Sequence, residues 1–207
     1  MSNDEIVYGN YEDKYNATNP ISKMLMRGFL RAFHNNLHNL PTDLQSICEV
    51  GCGEGELLKR LHTRFPQALL SATDLSPDEV DEAKTNCAGI PINFSVQNAQ
   101  QLDAYADSSF DLVVCCEVLE HLPDPERGLH ELWRISSKYV LVSVPNEPIW
   151  RMLNLARGKY IRHWGNTPGH LNHWTILQFP KFLQNTPFTP VKESYPLPWQ
   201  MVLLEKR

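Results

Sequence analysis

Three glycines at alternate positions, Gly51, Gly53 and Gly55, stand among acids: Glu49 precedes them, Glu54 lies between the last two and Glu56 follows. Glycine accepts backbone angles that a side chain forbids and lets a ligand approach the main chain closely. A turn of this composition is suited to cradle a nucleotide-like molecule. The apolar run Ile47 to Val50 precedes it and the amphipathic segment Leu57 to Phe65 follows, which reads as strand, tight turn and helix. Spacing narrows the ligand. A dinucleotide turn wants Gly or Ala where this chain has Glu56. Carboxylates at 49, 54 and 56 would repel a diphosphate at the helix N-terminus, whereas they suit a ligand that carries an ammonium and a sulfonium. Further on, the apolar segment Ala68 to Thr73 ends in Asp74, an acid placed to accept hydrogen bonds from ribose hydroxyls. The same residue can equally open a turn before Ser76.

A second group of reactive side chains follows the continuous apolar run Phe110 to Cys116. Glu117, Glu120 and His121 stand in the order E-x-x-E-H, and His170 and His173 lie on a later loop. Histidine titrates near neutrality, so His121 is the candidate general base for a hydroxyl acceptor, with Glu117 and His170 as further catalytic candidates and His173 as a rival. The bland use of His121 is a hydrogen bond to the local helix turn. Two carboxylates and two imidazoles also compose a donor set for a divalent ion able to lower a hydroxyl's pKa.

The runs E-V-G-C-G-E-G at 49–55 and F-D-L-V-V-C-C-E-V-L-E-H-L at 110–122 together resemble the class I S-adenosylmethionine (SAM)-dependent methyltransferases, in their type 11/12-like small-molecule branch. The resemblance covers residues 45–145 by motif and the remainder only by order of elements. It implies an α/β, Rossmann-like fold: a mostly parallel seven-stranded sheet with an antiparallel C-terminal edge pair and helices on both faces. It implies SAM as cofactor and S-adenosylhomocysteine as product, held by Glu49, Gly51, Cys52, Gly53, Gly55, Asp74, Leu75, Asn98, Ala99, Gln100 and Glu117. The family often has Asp where this chain has Asn98. In such enzymes the N-terminal arm commonly folds over the cofactor, which would bring Tyr11 or Tyr15 onto it. Glu117, Glu120, His121 and His170, or His173 in its place, resemble the set of metal-dependent ubiquinone-pathway O-methyltransferases and of enzymes methylating the 2′-hydroxyl at small-RNA ends. Because E-V-L-E-H-L also occurs in relatives without metal, no metal is expected, and those four residues are the set that would hold one. The expected activity is methyl transfer to a small molecule at oxygen; metal-assisted transfer and SAM binding without catalysis are the alternatives.

Periodicity supplies the elements that must position these groups. Ile21, Met24, Leu25, Phe29, Phe33, Leu37 and Leu40 fall at helical spacing, so an amphipathic helix over 21–40 precedes the sheet. Ser76-Pro77-Asp78-Glu79 is a capping box with proline at the first helical position, opening a helix to Ala88. Strands are expected at Ile92–Val96, Phe110–Cys116 and Tyr139–Val144, with a helix over Glu126–Ile135. Gly51, Asp74, Asn98, Glu117 and Asn146 each follow a strand, so a parallel sheet gathers them on one rim. Beyond 146 come a short helix over Pro148–Ala156 and a basic stretch, Arg151, Arg157, Lys159, Arg162 and His163, suited to an anionic substrate or a membrane surface. A long loop, 165–174, leads to a helix capped by Thr175 and running to Asn185; Val191–Tyr195 and Trp199–Leu204 read as strands. Trp150, Trp164 and Trp174 would line either a pocket or a partner surface.

The 207 residues read as one domain: arm and helix over 1–40, cofactor core over 45–145, substrate or lid insertion over 146–185 and C-terminal strands over 186–207. A net charge of −5 argues against nucleic acid as partner. Five cysteines without a C-x-x-C pair fit neither a disulfide framework nor a zinc knuckle, which points to a reducing cytoplasm. No charged-then-apolar leader and no membrane-length apolar run is seen. Oligomeric state is left open.

Overall fold

The computed structural model describes residues 20–156, 158 and 160–206. Tyr11 and Tyr15 lie outside them, as do Arg157 and Lys159. Along the chain run α1 (Pro20–Leu37), β1 (Ser46–Val50), α2 (Glu56–Arg64), β2 (Leu69–Asp74), α3 (Pro77–Asn86), β3 (Ile92–Val96), β4 (Phe110–Cys116), α4 (Pro125–Ile135), β5 (Ser136–Pro145), α5 (Glu147–Ala156), α6 (Gln178–Leu183), β6 (Phe188–Ser194) and β7 (Trp199–Lys206). A single 3-10 turn, Leu119–His121, follows β4, and another, Ile161–His163, follows α5.

The seven strands form one sheet in the order β3-β2-β1-β4-β5-β7-β6. The first five are parallel, while β7 pairs antiparallel with both β5 and β6. The chain order reverses between β1 and β4, which is the crevice where such sheets hold ligands. Alternation along the central strands decides the two faces. Cys48, Val50, Val113, Cys115, Val140 and Val142 pack with Leu129 and Leu132 of α4 and Phe179 of α6. Their neighbours Ile47, Leu112, Val114, Cys116 and Leu141 pack on the other side with Phe29 and Phe33 of α1 and Leu57 and Leu61 of α2. Both sheet faces are thus covered, which explains why β4 reads as an unbroken apolar run.

Local chemistry sets the helix starts. Ser76 Oγ accepts from Glu79 N at 3.3 Å, and Asp124 Oδ1 accepts from Arg127 N at 3.0 Å, each before a proline at the first helical position. Thr175 Oγ1 accepts from Gln178 N at 3.2 Å while Gln178 Oε1 accepts from Thr175 N at 3.1 Å, a reciprocal cap. The helix it leads into is short, ending at Leu183 and not Asn185. The first helix departs from its expected stripe: Ile21 and Met24 are exposed, and Leu40 reaches the core from a turn beyond the helix end. The buried stripe is Met26, Phe29, Phe33 and Leu37, with Phe29 edge-on to Trp199 of β7 at 5.2 Å.

Candidate active site

The glycine turn is fastened to the second strand. Gly51 N and Cys52 N both donate to Thr73 O, at 2.7 and 3.0 Å, and Gly53 N donates to Asp74 Oδ2 at 3.0 Å. Gly51, Gly53 and Gly55 all have positive φ, where a β-carbon is disfavoured. At Gly51 a second reason applies, because a β-carbon there would lie 2.2 Å from Val118 Cγ2. The turn after β1 and the turn after β4 therefore pack against each other across the switch point.

Asp74 opens the turn before Ser76, one of the two uses the sequence allowed. Its Oδ2 braces Gly53 and its Oδ1 accepts from Ser76 N at 3.0 Å; each carboxylate oxygen has a second lone pair for a ribose hydroxyl. Leu75 is exposed beside it. Asn98 closes a tight turn, its Oδ1 accepting from Gln100 N at 2.9 Å. Ala99 is buried, and Gln100 Oε1 accepts from Asp124 N.

Glu49 is 2 % exposed, and its Oε2 has no hydrogen-bond partner among the described residues. Burial, reinforced by the nearby Asp74 charge, pushes its carboxyl well above the usual range. A buried acid of this kind suits a ligand that brings a cation. Glu56 pairs with Lys59 at 3.2 Å and Arg60 at 2.8 Å along its own helix. Its place where a dinucleotide turn needs Gly or Ala still stands against a diphosphate, and the buried Glu49 adds to that case.

Glu117 sits at φ 62°, a left-handed backbone that costs a non-glycine residue of order 1–3 kcal/mol. Its Oε1 accepts from Ser143 Oγ at 2.9 Å and its N–H donates to Ser143 O at 3.0 Å, holding it against β5. Glu117 does not join the metal-type cluster, which corrects the expected four-residue set. The residues whose donor atoms lie within 4.8 Å of one another are Glu120, His121 and His170.

Long-range contacts assemble that trio. Leu171 N and Asn172 N donate to Glu120 O at 2.8 and 3.0 Å, and Asn172 Nδ2 donates to Leu119 O and Leu122 O at 3.2 and 2.6 Å. The loop is thereby clamped onto the turn after β4. His121 Nδ1 lies 2.9 Å from Gly169 O. A carbonyl only accepts, so Nδ1 carries the proton and Nε2 of the neutral ring carries the lone pair. His170 Nδ1 is 2.8 Å from Glu147 Oε1, and both residues are buried; the same logic leaves the His170 lone pair on Nε2. The rings of His121 and His170 meet edge to face at 5.0 Å. His173, the rival, faces Asn166 Oδ1 at 2.9 Å, and burial lowers its pKa.

Glu147, Gly169 and Asn172 escaped the sequence reading. Glu147 has no local signature as a partner of His170, since an acid in the first turn of a helix is what the helix dipole favours anyway. The three tryptophans separate: Trp150 stacks on His170 at 6.0 Å and donates to Thr167 Oγ1 at 2.8 Å, Trp174 is core, and Trp164 is exposed.

Comparison with known families finds a model described as a methyltransferase domain over residues 48–139. Over those residues the chain is similar to a methyltransferase domain. The ubiquinone biosynthesis O-methyltransferase of Xanthomonas euvesicatoria pv. vesicatoria is 33% identical over 120 residues, covering 56% of this chain and 49% of that protein. The malonyl-[acyl-carrier protein] O-methyltransferase of Anoxybacillus flavithermus is 31% identical over 88 residues, 42% of this chain and 33% of that protein. The chain thus spans about half or less of the length of these curated relatives. In fold it is similar to the magnesium protoporphyrin IX methyltransferase from Synechocystis PCC 6803 solved with S-adenosylhomocysteine, at TM-score 0.67, 20% identity, and 92% and 89% of the two chains. The matched methyltransferase domain contains the glycine turn, Asp74, Asn98 and the 117–121 turn, and stops short of Glu147 and His170. Among the described residues no helix is long and apolar enough to cross a membrane.

Proposed function

We propose that the protein transfers a methyl group from SAM to a hydroxyl oxygen of a small-molecule acceptor. The observation that carries this is the convergence of Glu120, His121 and His170 beside the rim where Gly51, Asp74 and Glu117 lie. Glu49, Gly51, Cys52, Gly53, Gly55, Asp74, Leu75, Asn98, Ala99, Gln100 and Glu117 would hold the cofactor, the buried Glu49 answering its ammonium. SAM supplies an activated methyl on a positive sulfur, so the protein's task is to align the acceptor and remove its proton. Alignment is worth about 7–11 kcal/mol and a base about 10²–10⁴ in rate. His121 takes the hydroxyl proton at Nε2, and Gly169 O steadies the resulting imidazolium through Nδ1–H. Glu147 keeps His170 in the matching tautomer, and the Trp150 ring forms a wall beside it.

The same geometry supports a second reading. A carboxylate and two imidazoles with Nε2 lone pairs fit a divalent ion, and the Glu147 and Gly169 contacts are the outer hydrogen bonds that orient metal-binding histidines. Such an ion would make an acceptor hydroxyl more acidic. RNA as acceptor is disfavoured by the net charge of −5. The five free, buried cysteines suit a reducing compartment, and we place the protein in the cytoplasm.

The test is methyl incorporation into hydroxylated acceptors, with elemental analysis of the purified protein. His121→Ala and His170→Ala should each lose about 10²-fold or more in turnover while S-adenosylhomocysteine affinity is kept. Full turnover by His121→Ala rules out His121 as base, and stoichiometric metal lost in Glu120→Ala selects the second reading.

A further inference from the structure

The helix that carries Glu147 and Trp150 on its inner side has an outer side that no element among the described residues covers. Pro148, Met152 and Leu155 share that outer side at 3.6 residues per turn, and Met152 is 69% exposed. The chain then turns back beside the helix. Asn154 Nδ2 donates to Gly165 O at 2.9 Å, and a β-carbon on Gly165 would meet Arg151 O at 2.4 Å, so the return segment is pinned against α5. Next to that pin Trp164 is 80% exposed and Ile161 65% exposed, with the exposed Arg162 cation and the exposed His163 between them. Tyr160 and Trp164 both have positive φ, a strained backbone that presents this turn outward.

Charge selects what covers the patch. From 148 to 192 the sequence has six Lys and Arg and no Asp or Glu, although the whole chain carries −5. The rest of the sequence is therefore net acidic, although α1 also carries Lys23, Arg27 and Arg31 without an acid; the 148–192 segment differs from it in setting an exposed Trp among its cations. An exposed Trp among aliphatic residues and cations is the composition that settles at a lipid headgroup boundary.

We propose that α5 and the 160–164 turn dock the protein on the surface of an anionic phospholipid membrane, with the opposite side of α5 opening the site to an amphiphilic acceptor whose hydroxylated head enters from the bilayer. The choice of acceptor rests on the methyl-transfer reading; the docking does not. With no spanning helix among the described residues, the contact is peripheral.

Sedimentation with vesicles of phosphatidylcholine, with and without phosphatidylglycerol, tests it, with S-adenosylhomocysteine affinity as the check on folding. Binding should require phosphatidylglycerol, fall about tenfold or more as salt is raised severalfold above 0.1 M, and fall similarly in Ile161→Ser/Trp164→Ser and in Arg162→Glu with cofactor affinity unchanged. Failure of the wild-type protein to bind, or equal binding by the double variant, overturns the proposal. Self-association abolished by the double variant, without vesicle binding, would assign the patch to a second copy and overturn it too. Vesicle binding without methyl transfer to any amphiphile would keep the docking and remove the acceptor class.

Discussion

Glu49 links one side chain to a pH profile. Its carboxyl is held well above the ordinary value by burial and by Asp74, so without ligand it keeps its proton as pH passes the usual carboxylate range. A ligand ammonium favours the ionised form. S-adenosylhomocysteine affinity should therefore rise with pH between the ordinary carboxylate value and Glu49's raised one, with a proton released on binding, and Glu49→Gln should flatten the profile in calorimetry. The apo protein obeys the opposite sign: the folded state holds the proton more tightly than the unfolded chain, so stability falls as pH rises through the same interval. Gly51→Ala combines a φ of 76° with the clash on Val118. It should cost about 1–3 kcal/mol in urea unfolding, and adding Val118→Ala should recover only the steric part. The glycine turn and the acid closing the second strand were legible as local patterns, even though Asp74 braces Gly53 across 21 residues. Glu147 was not, since its partner His170 is 23 residues away and no local pattern joins them. Glu147→Gln should lower turnover about tenfold or more under either reading of the trio, with cofactor affinity unchanged.

At the scale of elements, capping chemistry was readable where it is local: Ser76 and Thr175 accept the bonds expected of them, and Asp124 before Pro125 repeats the Ser76 arrangement. Boundaries were less so. The apolar stripe of α1 continued on paper through Ile21 and Met24, yet periodicity cannot say where the sheet beneath a helix ends. The loop at 165–174 was legible as too long for a connector, but its hold on the turn after β4 comes through Asn172, 50 residues from Leu122. Asn172→Ala leaves the Leu119 and Leu122 carbonyls without that donor. Unfolding free energy should drop by about 1–3 kcal/mol, and turnover should fall with it because His170 rides on the same loop; a variant of unchanged stability and rate would show the clamp to be incidental.

Over the whole molecule, strand alternation and the order of elements sufficed to place five strand ends on one rim, and the sheet order bears that out. Which of the reactive residues meet was beyond them: Glu117 looked equivalent to Glu120, but the left-handed backbone and Ser143 hold it apart from the histidines. On the reading proposed, this rim holds SAM. Calorimetric titration with S-adenosylhomocysteine and, separately, NAD addresses it directly, using the wild-type protein and Asp74→Ala. One-to-one binding of S-adenosylhomocysteine, weakened about tenfold or more by loss of the Asp74 carboxylate, with no heat from NAD, is the predicted result. Binding of NAD in place of S-adenosylhomocysteine would contradict it.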